Sequence, residues 1–346
     1  MDPILSPAPA ATRSKSFHWT VALVLAAILL YYSLRGIDWR QVWITLASTR
    51  PGYVGLMLLV SMGSLILRAL RWRVLLRSGG PVSVSTAFWA TCGGYFGNNF
   101  LPARAGELVR TMMVDAEAGL GRTFVLTTAL SERMTDAVAL VLISSLVLLA
   151  LPVRPGWYAS AARPFAVIGI CGVAAIAILP KLERLWNYLL DRSPVPERFR
   201  NKIKSVLEQV LSGLRAFHDW RRLLAFLSFT AVIWFMDAVS AVLGARSLGL
   251  TLDLSMAYLL ITGLGLGSAL PSTPGYVGIY QFVAVTVLMP FGFSRATIIA
   301  YTLLFQALQY LMTGSLGLVA ILRFRKLKAR PVLRGFRSPL SSVPAE

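Results

Sequence analysis

The stretch LPARAG at residues 101–106 recurs as LPSTPG at residues 270–275, and these two stretches decide how the chain is organised. The Arg-Ser pair at residues 77–78 also recurs, at residues 246–247, and its separation equals that between the two LPxxxG stretches. We call this common separation the repeat interval. Similarity at a fixed interval is the sequence signature of an internal repeat. We therefore predict two similar halves, with chance recurrence of a short motif as the alternative.

The first copy begins at the end of one apolar stretch and the second copy lies within another, and glycine and proline interrupt both regions. The first stretch covers residues 84–101 and the second covers residues 254–289. The interrupting residues are Gly93, Gly94, Gly97, Pro102, Gly106, Pro271, Pro274, Gly275 and Gly278. Such residues break helices, and the backbone groups that they release inside a membrane must be satisfied by protein or by cavity water. Each stretch is therefore either a kinked span or a re-entrant hairpin that enters and leaves on the same side.

The composition indicates a membrane protein. Hydrophobic residues make up 56% of the 346 residues and charged residues 14%, with a mean hydropathy of +0.66. Soluble domains average roughly 45–50% apolar residues and about 25% charged residues, so a soluble enzyme and a disordered chain are both excluded. Six further apolar segments are each close to the length that a ~30 Å hydrocarbon layer requires of a helix. They lie at residues 19–34, 53–67, 124–151, 165–179, 223–245 and 296–322.

The basic residues indicate the orientation of these segments. The chain has 34 Lys and Arg against 15 Asp and Glu, a net charge of +19. If the N-terminus is cytoplasmic and both interrupted stretches are re-entrant, 26 basic residues lie inside and 7 outside, as the positive-inside rule expects. The inside segments are then residues 1–16, 68–122, 181–222 and 323–346. Treating either stretch as an ordinary span would place a strongly basic segment outside.

These observations predict an all-α polytopic membrane protein with about six spanning helices and two re-entrant helical hairpins. The repeat halves, residues 51–151 and 223–322, would be inverted relative to each other, an arrangement typical of secondary transporters. The transmembrane domain would cover residues 17–326. The flanking and inserted parts are a disordered cytoplasmic tail at residues 1–16, an amphipathic cytoplasmic insert at residues 181–222 and a basic tail at residues 327–346.

Basic segments beside apolar spans indicate contact with anionic lipid headgroups and not with nucleic acid. We therefore predict membrane lipids as partners and both termini in the cytoplasm, and we leave open self-association into a homo-oligomer. The cysteines and histidines, which are Cys92, Cys171, His18 and His218, form no spaced cluster, and no P-loop is present. The sequence thus predicts neither a metal site nor a cofactor.

Charged residues within the predicted spans are candidates for a functional role, because each costs about 2.5–3.5 kcal/mol on insertion scales. Glu132, Arg133 and Asp136 share one span, and Asp237 stands alone in another. Glu132 and Asp136 are four residues apart on one helical face, and Arg133 is placed to pair with Asp136. We expect these residues to face the interior, either as salt bridges that join helices or as the lining of a site, with Asp237 facing an arginine.

The richest constellation is NNFLPARAGELVR at residues 98–110. A helix that starts after the proline would present the acid and the two arginines of this motif along one side, because they are spaced by three. A helix N-terminus and guanidinium groups together suit a phosphate. We predict a headgroup site here, with an ordinary basic loop as the alternative. Its residues would be Asn98, Asn99, Arg104, Glu107 and Arg110, faced by Thr273 and Tyr276 from the second tip at residues 271–278.

Four motifs in order resemble one family. They are LRALRWR at residues 67–73, NNFLPARAGELVR at 98–110, SERMTD at 131–136 and PSTPGYVG at 271–278. From about residue 20 to 325 the chain is similar to the lysylphosphatidylglycerol synthase transmembrane-region family, which supplies the flippase-like domain of bacterial aminoacyl-phospholipid synthases. The resemblance implies a stand-alone flippase-like domain in the bacterial cytoplasmic membrane, without the aminoacyl-transferase domain. The sequence departs from the family pattern at Tyr276, where a glycine is usual, and at Gln281, near a usual glutamate.

Three functions fit these features. A lipid translocase that moves a phospholipid or polyprenyl-linked headgroup between leaflets accounts for the inverted halves, the intramembrane charges and the basic headgroup site. A membrane-embedded lipid-phosphate transferase would use Glu107 or Asp136 as a general base. A small-solute secondary transporter would use the same repeat. We predict the translocase, which is a transporter and not an enzyme, and we assign no catalytic residue.

Overall fold

The computed structural model describes residues 34–101, 105–150, 219–268 and 274–329, with Ile28, Tyr31, Tyr32 and scattered residues between 167 and 208. Every regular element in this part of the chain is helical, which confirms the all-α class. The α-helices are α1 (Trp39–Ala47), α2 (Pro51–Leu76), α3 (Val84–Phe100), α4 (Gly106–Ala118), α5 (Arg122–Ala150), α6 (Glu183–Arg192), α7 (Trp220–Ser247), α8 (Leu254–Gly267), α9 (Ile279–Leu288) and α10 (Arg295–Ala329). Single 3₁₀ turns lie at Pro274–Tyr276 and Met289–Phe291.

Several predicted features lie outside the described residues. They are most of the spans at residues 19–34 and 165–179, most of the insert at residues 181–222, both tails, and Pro102, Arg104, Pro271 and Thr273.

Three of the described helices are long and apolar enough to cross a membrane, namely α2, α7 and α10 over Arg295–Leu327. They contain the predicted spans at residues 53–67, 223–245 and 296–322. The 29-residue α5 covers nearly all of the predicted span at residues 124–151 and is not among the three.

The predicted end of the second span at Leu67 was wrong. Helix α2 continues to Leu76, so Arg68 and Arg71 lie within the helix, although the charge count had placed them in an inside segment. Trp72 and Leu76 are fully buried. The apolar face of α2 therefore continues past the arginines, which makes them interior residues and not loop residues.

Helices α2 and α7, the first helices of the two halves, pack against each other in opposite directions. They begin at Pro51 and Trp220, and this separation equals the repeat interval. Ser61 Oγ lies 2.7 Å from Ser240 Oγ near the middle of the pair. The N–H of Arg50, just before α2, donates to the carbonyl of Ser247 at the end of α7 (2.7 Å). The equivalent helices of the two halves are therefore antiparallel.

Each interrupted stretch forms an antiparallel helical hairpin. In the first hairpin, α3 and α4 approach so closely that a methyl group on Gly97 would lie 2.6 Å from the Cα of Gly106. In the second, Gly267 of α8 packs against Ile279 of α9. The longest of these four helices has 17 residues. At 1.5 Å per residue that is about 25 Å, so none of them crosses a ~30 Å hydrocarbon layer by itself.

The tips of the two hairpins meet beside Tyr310, near the middle of α10. The ring of Phe100 at the first tip lies 6.1 Å from the ring of Tyr310. The hydroxyl of Tyr310 donates to the carbonyl of Gly275 at the second tip. Both tips therefore reach about half the length of α10.

The two hairpins open at opposite ends of α10. Arg323, near the end of α10, donates to Ser85 Oγ at the base of the first hairpin (3.0 Å). Leu252, beside the base of the second hairpin, and Ile298, near the start of α10, border one small apolar cavity. Buried apolar side chains form two clusters, one around each hairpin. The described architecture thus repeats helix, hairpin and helix, with the second copy pointing the opposite way.

The second tip breaks the helix through backbone conformations that favour glycine. Gly275 has φ 81° and Gly278 has φ 90°. Tyr276 between them has φ 54°, which is uncommon for a residue that carries a side chain, and its ring stacks on Tyr280 at 5.0 Å. The N–H of Gly278 donates to the side chain of Gln281 (2.8 Å). That bond satisfies a backbone group that the break releases.

Candidate functional site

Six charged side chains from three helices form one group, which we call the charge cluster. Its members are Arg71 on α2, Glu107 and Arg110 on α4, and Glu132, Arg133 and Asp136 on α5. The three arginines balance the three carboxylates, so the formal net charge of the cluster is zero. Charges inside a membrane protein are tolerated when they are paired in this way.

Arg71 joins three helices through this cluster. Its guanidinium makes a two-point contact with Asp136 (Nη1 to Oδ1 2.6 Å, Nη2 to Oδ2 2.8 Å), and Nη2 also donates to Glu132 Oε1 at 2.9 Å. Nη1 also donates to Thr230 on α7 (3.1 Å), and the guanidinium lies 4.9 Å from the ring of Phe226. Glu132 and Asp136 are both buried, as expected for acids within a span. Arg71 thereby ties α2 to α5 and α7.

Arg110 is buried, and each of its three nitrogens donates to a protein acceptor. Nε donates to Glu107, Nη1 to Glu132 Oε2 (2.8 Å) and Nη2 to the carbonyl of Ala129 (3.1 Å). The guanidinium also lies 4.5 Å from the ring centre of Trp72. A phosphate would reach this arginine only by displacing these partners. The direct phosphate contact that the sequence predicts for Arg110 therefore stays a prediction.

Asn98 occupies the start of α4, where the sequence predicts that a phosphate binds. Its Oδ1 accepts from the N–H of Gly106 (3.1 Å), and its Nδ2 donates to Glu107 (3.4 Å). A side chain at Gly106 would collide with the carbonyl oxygen of Gly94. These contacts close the turn between α3 and α4 and hold Glu107 beside the arginines of the charge cluster.

Arg133 differs from the other residues of the charge cluster in its exposure. Helical spacing allows Arg133 to pair with Asp136, but in the structure Asp136 binds Arg71. Arg133 Nε donates instead to Glu107 (2.9 Å), and its side chain is 41% exposed. The guanidinium also lies 5.8 Å from the ring of Tyr95. A spacing of three residues permits the local pair, but Arg71 on another helix offers Asp136 a two-point contact, which is stronger.

A cavity of about 250 Å³ lies between the two halves. Helices α2 and α3 line it from the first half, and α7, α8, α9 and α10 line it from the second. Tyr95, which contacts Arg133, is one of the lining residues. The cavity therefore borders the charge cluster.

One ion pair stands on the cavity wall. Arg68 donates through Nη2 to Asp237, and Ser64 Oγ donates to the other carboxylate oxygen of Asp237 (2.6 Å). The two charged side chains are 15% and 22% exposed, and the Arg68 guanidinium lies 5.1 Å from the ring of Trp234. Arg68 and Asp237 are separated by the repeat interval, so they occupy equivalent positions on the antiparallel helices α2 and α7. The prediction that Asp237 faces an arginine is confirmed.

Neutral amides and hydroxyls form another part of the cavity wall. Gln309 Nε2 donates to Ser61 Oγ (2.8 Å), which in turn lies beside Ser240 Oγ. Asn99 Nδ2 donates to Thr313 Oγ1 (3.2 Å). These side chains can both donate and accept hydrogen bonds.

The second tip meets the cavity through a network without charges. Gln281 is buried and donates to Gln306 Oε1 (2.8 Å). Gln306 Nε2 donates to the carbonyl of Gly275 (2.5 Å) and to the hydroxyl of Tyr310 (3.0 Å). Here the side chain of Gln281 satisfies a neighbouring amide oxygen. Tyr276 stacks at the tip and is not among the residues that line the cavity.

The sequence located the charge cluster but not the cavity. Of the predicted headgroup residues that the structure describes, Asn99 alone lines the cavity. Sequence reasoning missed Arg68, Arg71 and Gln309. A usable signal existed for Arg68, because the repeat interval places it at the position equivalent to Asp237.

Known proteins show the following similarities. The sequence model of the family described as lysylphosphatidylglycerol synthase TM region matches residues 19–317. The chain is 26% identical over 299 residues to a protein of Haloferax volcanii named glycosyltransferase AglD, covering 77% of this chain but 47%, about half, of that relative's length. It is 23% identical over 336 residues to the UPF0104 membrane protein PH1989 of Pyrococcus horikoshii, covering 89% of this chain and 96% of that protein. No solved structure matches the chain.

Proposed function

The chain belongs to the family of the lysylphosphatidylglycerol synthase transmembrane region, and we propose that it is a translocase that moves a phosphate-bearing lipid headgroup between the leaflets of the cytoplasmic membrane. The observation that carries this proposal is the cavity between the two antiparallel halves, with Arg68 on its wall. A guanidinium group binds two phosphate oxygens at once. A headgroup that leaves water must exchange its hydration for such contacts, because an unsatisfied polar group in an apolar medium is costly.

The size of the cavity suits a headgroup and not a whole lipid. Its volume of about 250 Å³ is slightly below the roughly 300–1,000 Å³ of typical small-molecule sites. The acyl or polyprenyl chains would remain in the bilayer while the headgroup passes through the protein.

We further propose that the two hairpins are re-entrant and enter the membrane from opposite sides, among six spanning helices and with both termini cytoplasmic. Three observations support this arrangement. The hairpin helices are shorter than a hydrocarbon layer, their tips meet half-way along α10, and their bases lie at opposite ends of α10. The excess of basic residues in the predicted inside segments supports the orientation.

Cysteine accessibility tests this topology. In a variant without the native cysteines (Cys92→Ala and Cys171→Ala), Ala116→Cys at the base of the first hairpin is expected to react with a membrane-impermeant maleimide from the cytoplasmic side only. Ser294→Cys, beyond the base of the second hairpin, is expected to react from the outside only. Ala116 and Ser294 are both exposed in the structure. Labelling of both positions from the same side would rule out the inverted arrangement.

A membrane-embedded transferase is the second candidate, because one relative is named a glycosyltransferase. General-base catalysis on a lipid phosphate would need a carboxylate that is free to accept a proton. Each of the four candidate carboxylates, which are Glu107, Glu132, Asp136 and Asp237, is held by at least one arginine. These pairings favour translocation over general-base chemistry.

Leaflet exchange in reconstituted vesicles tests the proposed function. Phosphatidylglycerol with a fluorophore on one acyl chain is incorporated into both leaflets, and dithionite is added to reduce the label in the outer leaflet. We expect vesicles that contain the protein to lose the label of both leaflets, and protein-free vesicles to lose only the outer label. Equal loss in the two preparations would overturn the proposal. Glycerol phosphate trapped inside the vesicles is expected to stay there, whereas a small-solute transporter would release it.

A further inference from the structure

The charges on the cavity wall indicate what kind of headgroup it accepts. The described lining residues include one cation, Arg68, and one anion, Asp237, and these two bind each other. From this wall we propose that the cavity takes an uncharged polyhydroxylated headgroup joined to its lipid through a single phosphate. This inference rests on the proposed function and specifies the substrate class of the same site.

The single guanidinium sets the number of phosphates. Only Nη2 of Arg68 binds Asp237, so the other N–H groups of this guanidinium can contact phosphate oxygens while the ion pair stays intact. A diphosphate would bring a second charged group into a wall that has no second described arginine. An unpaired charge in such a place is strongly disfavoured. A headgroup with one phosphate therefore matches the single arginine of the cavity wall.

The neutral part of the wall accounts for the hydroxyl groups of the headgroup. Asn99 and Gln309 each use one amide N–H on a neighbouring hydroxyl, and their amide oxygens accept no hydrogen bond from any described residue. A polyol hydroxyl is both donor and acceptor, so it can satisfy these groups. An apolar headgroup that displaces water from these amide oxygens would leave them unpaired, which is costly.

The same wall disfavours a cationic aminoacyl headgroup. An ammonium group would need a carboxylate that is not already paired. Asp237 accepts hydrogen bonds from both Arg68 and Ser64, and no other Asp or Glu is among the described lining residues. The cavity therefore matches polyol phosphates, whether they come from a glycerophospholipid or from a polyprenyl phosphate that carries a sugar.

A lipid panel measured in two ways tests this inference. The panel contains phosphatidylglycerol, a polyprenyl-phosphoryl hexose, lysyl-phosphatidylglycerol and phosphatidylpropanol, which has the same charge as phosphatidylglycerol but no headgroup hydroxyl. Binding is measured by native mass spectrometry of lipids retained in detergent, and leaflet exchange is measured in vesicles. We expect phosphatidylglycerol or the hexose lipid to exceed phosphatidylpropanol by about tenfold or more in both readouts, the size expected for one to two hydrogen bonds. The better of these two lipids identifies the source of the headgroup.

A matched pair of variants links this selectivity to the cavity. Gln309→Leu is expected to remove most of the preference for the polyol lipid while binding of phosphatidylpropanol stays the same. Gln41→Leu, an equal change on exposed α1, is expected to preserve the preference. The inference about the headgroup would be overturned if phosphatidylglycerol and phosphatidylpropanol bound equally, or if the lysyl lipid bound most tightly. Neither result would contradict the proposed translocase function. Selective binding without exchange would support the headgroup class and overturn translocation, and the absence of both would overturn both.

Discussion

Replacing Arg71 by alanine is expected to lower the yield of folded protein sharply, because the substitution leaves the buried Asp136 without its arginine and Glu132 with one of its two. Arg71 contacts both Asp136 and Glu132, and it is fully buried. Removing one member of a buried ion pair costs about 3–5 kcal/mol, a large part of the roughly 5–15 kcal/mol that stabilises a typical native protein. Thermal unfolding in detergent, followed by size-exclusion chromatography, measures the loss.

Two further variants separate lost charge balance from lost packing. Arg71→Met combined with Asp136→Asn removes one charge of each sign and leaves Glu132 paired with Arg110, so it is expected to be more stable than Arg71→Ala. Arg122→Ala removes an ion pair whose arginine side chain is 73% exposed, and it is expected to change stability by no more than about 1 kcal/mol. If Arg71→Ala melts at the same temperature as Arg122→Ala, the charge cluster does not stabilise the fold.

Removing the ion pair from the cavity wall is expected to reduce leaflet exchange of phosphate lipids without unfolding the protein. Arg68→Gln combined with Asp237→Asn leaves no unpaired charge, and both side chains are already partly exposed to the cavity. Hydrogen bonds to charged groups contribute about 1.5–3 kcal/mol each, so losing the guanidinium contact is expected to slow exchange about 10- to 150-fold. Exchange in reconstituted vesicles and thermal unfolding are measured on the same preparation.

The single substitutions at this pair have opposite expected effects on lipid binding. Asp237→Asn frees Arg68 from its counter-ion and is expected to strengthen phosphate binding. Arg68→Lys is expected to restore exchange only in part relative to Arg68→Gln, because an ammonium group lacks the planar two-point contact. Wild-type exchange in the double variant would show that Arg68 does not bind the headgroup.

The organisation of the fold could be predicted because its signals are local. The repeated LPxxxG stretches and the glycines around them break helices through their own backbone preferences, so the hairpins follow from short segments. The repeat interval then relates the helices of the two halves, since the starts of α2 and α7 are separated by the same interval. The extent of α2 could not be predicted in this way, since Arg68 and Arg71 look like residues at the end of a span.

The partners of the charged residues could not be predicted because they come from distant parts of the chain. The charge count placed Arg71 in an inside segment, but Asp136 and Glu132 of another helix compensate for its charge within α2. For the same reason helical spacing offers Asp136 as a partner for Arg133, whereas the partner in the structure is Glu107. Which charges compensate each other depends on how helices pack, and short-range spacing does not determine packing.

Blocking the cavity in the folded protein is the most direct test of whether the headgroup passes through it. In the variant without native cysteines, Met312→Cys places a thiol among the cavity-lining residues, and a bulky maleimide attached after reconstitution would fill the space. Met289→Cys, at a position that is exposed and outside the cavity lining, is the matched control. We expect modification at position 312 to stop leaflet exchange and modification at position 289 to leave it unchanged. Undiminished exchange after complete modification at position 312 would show that lipids do not cross through this cavity.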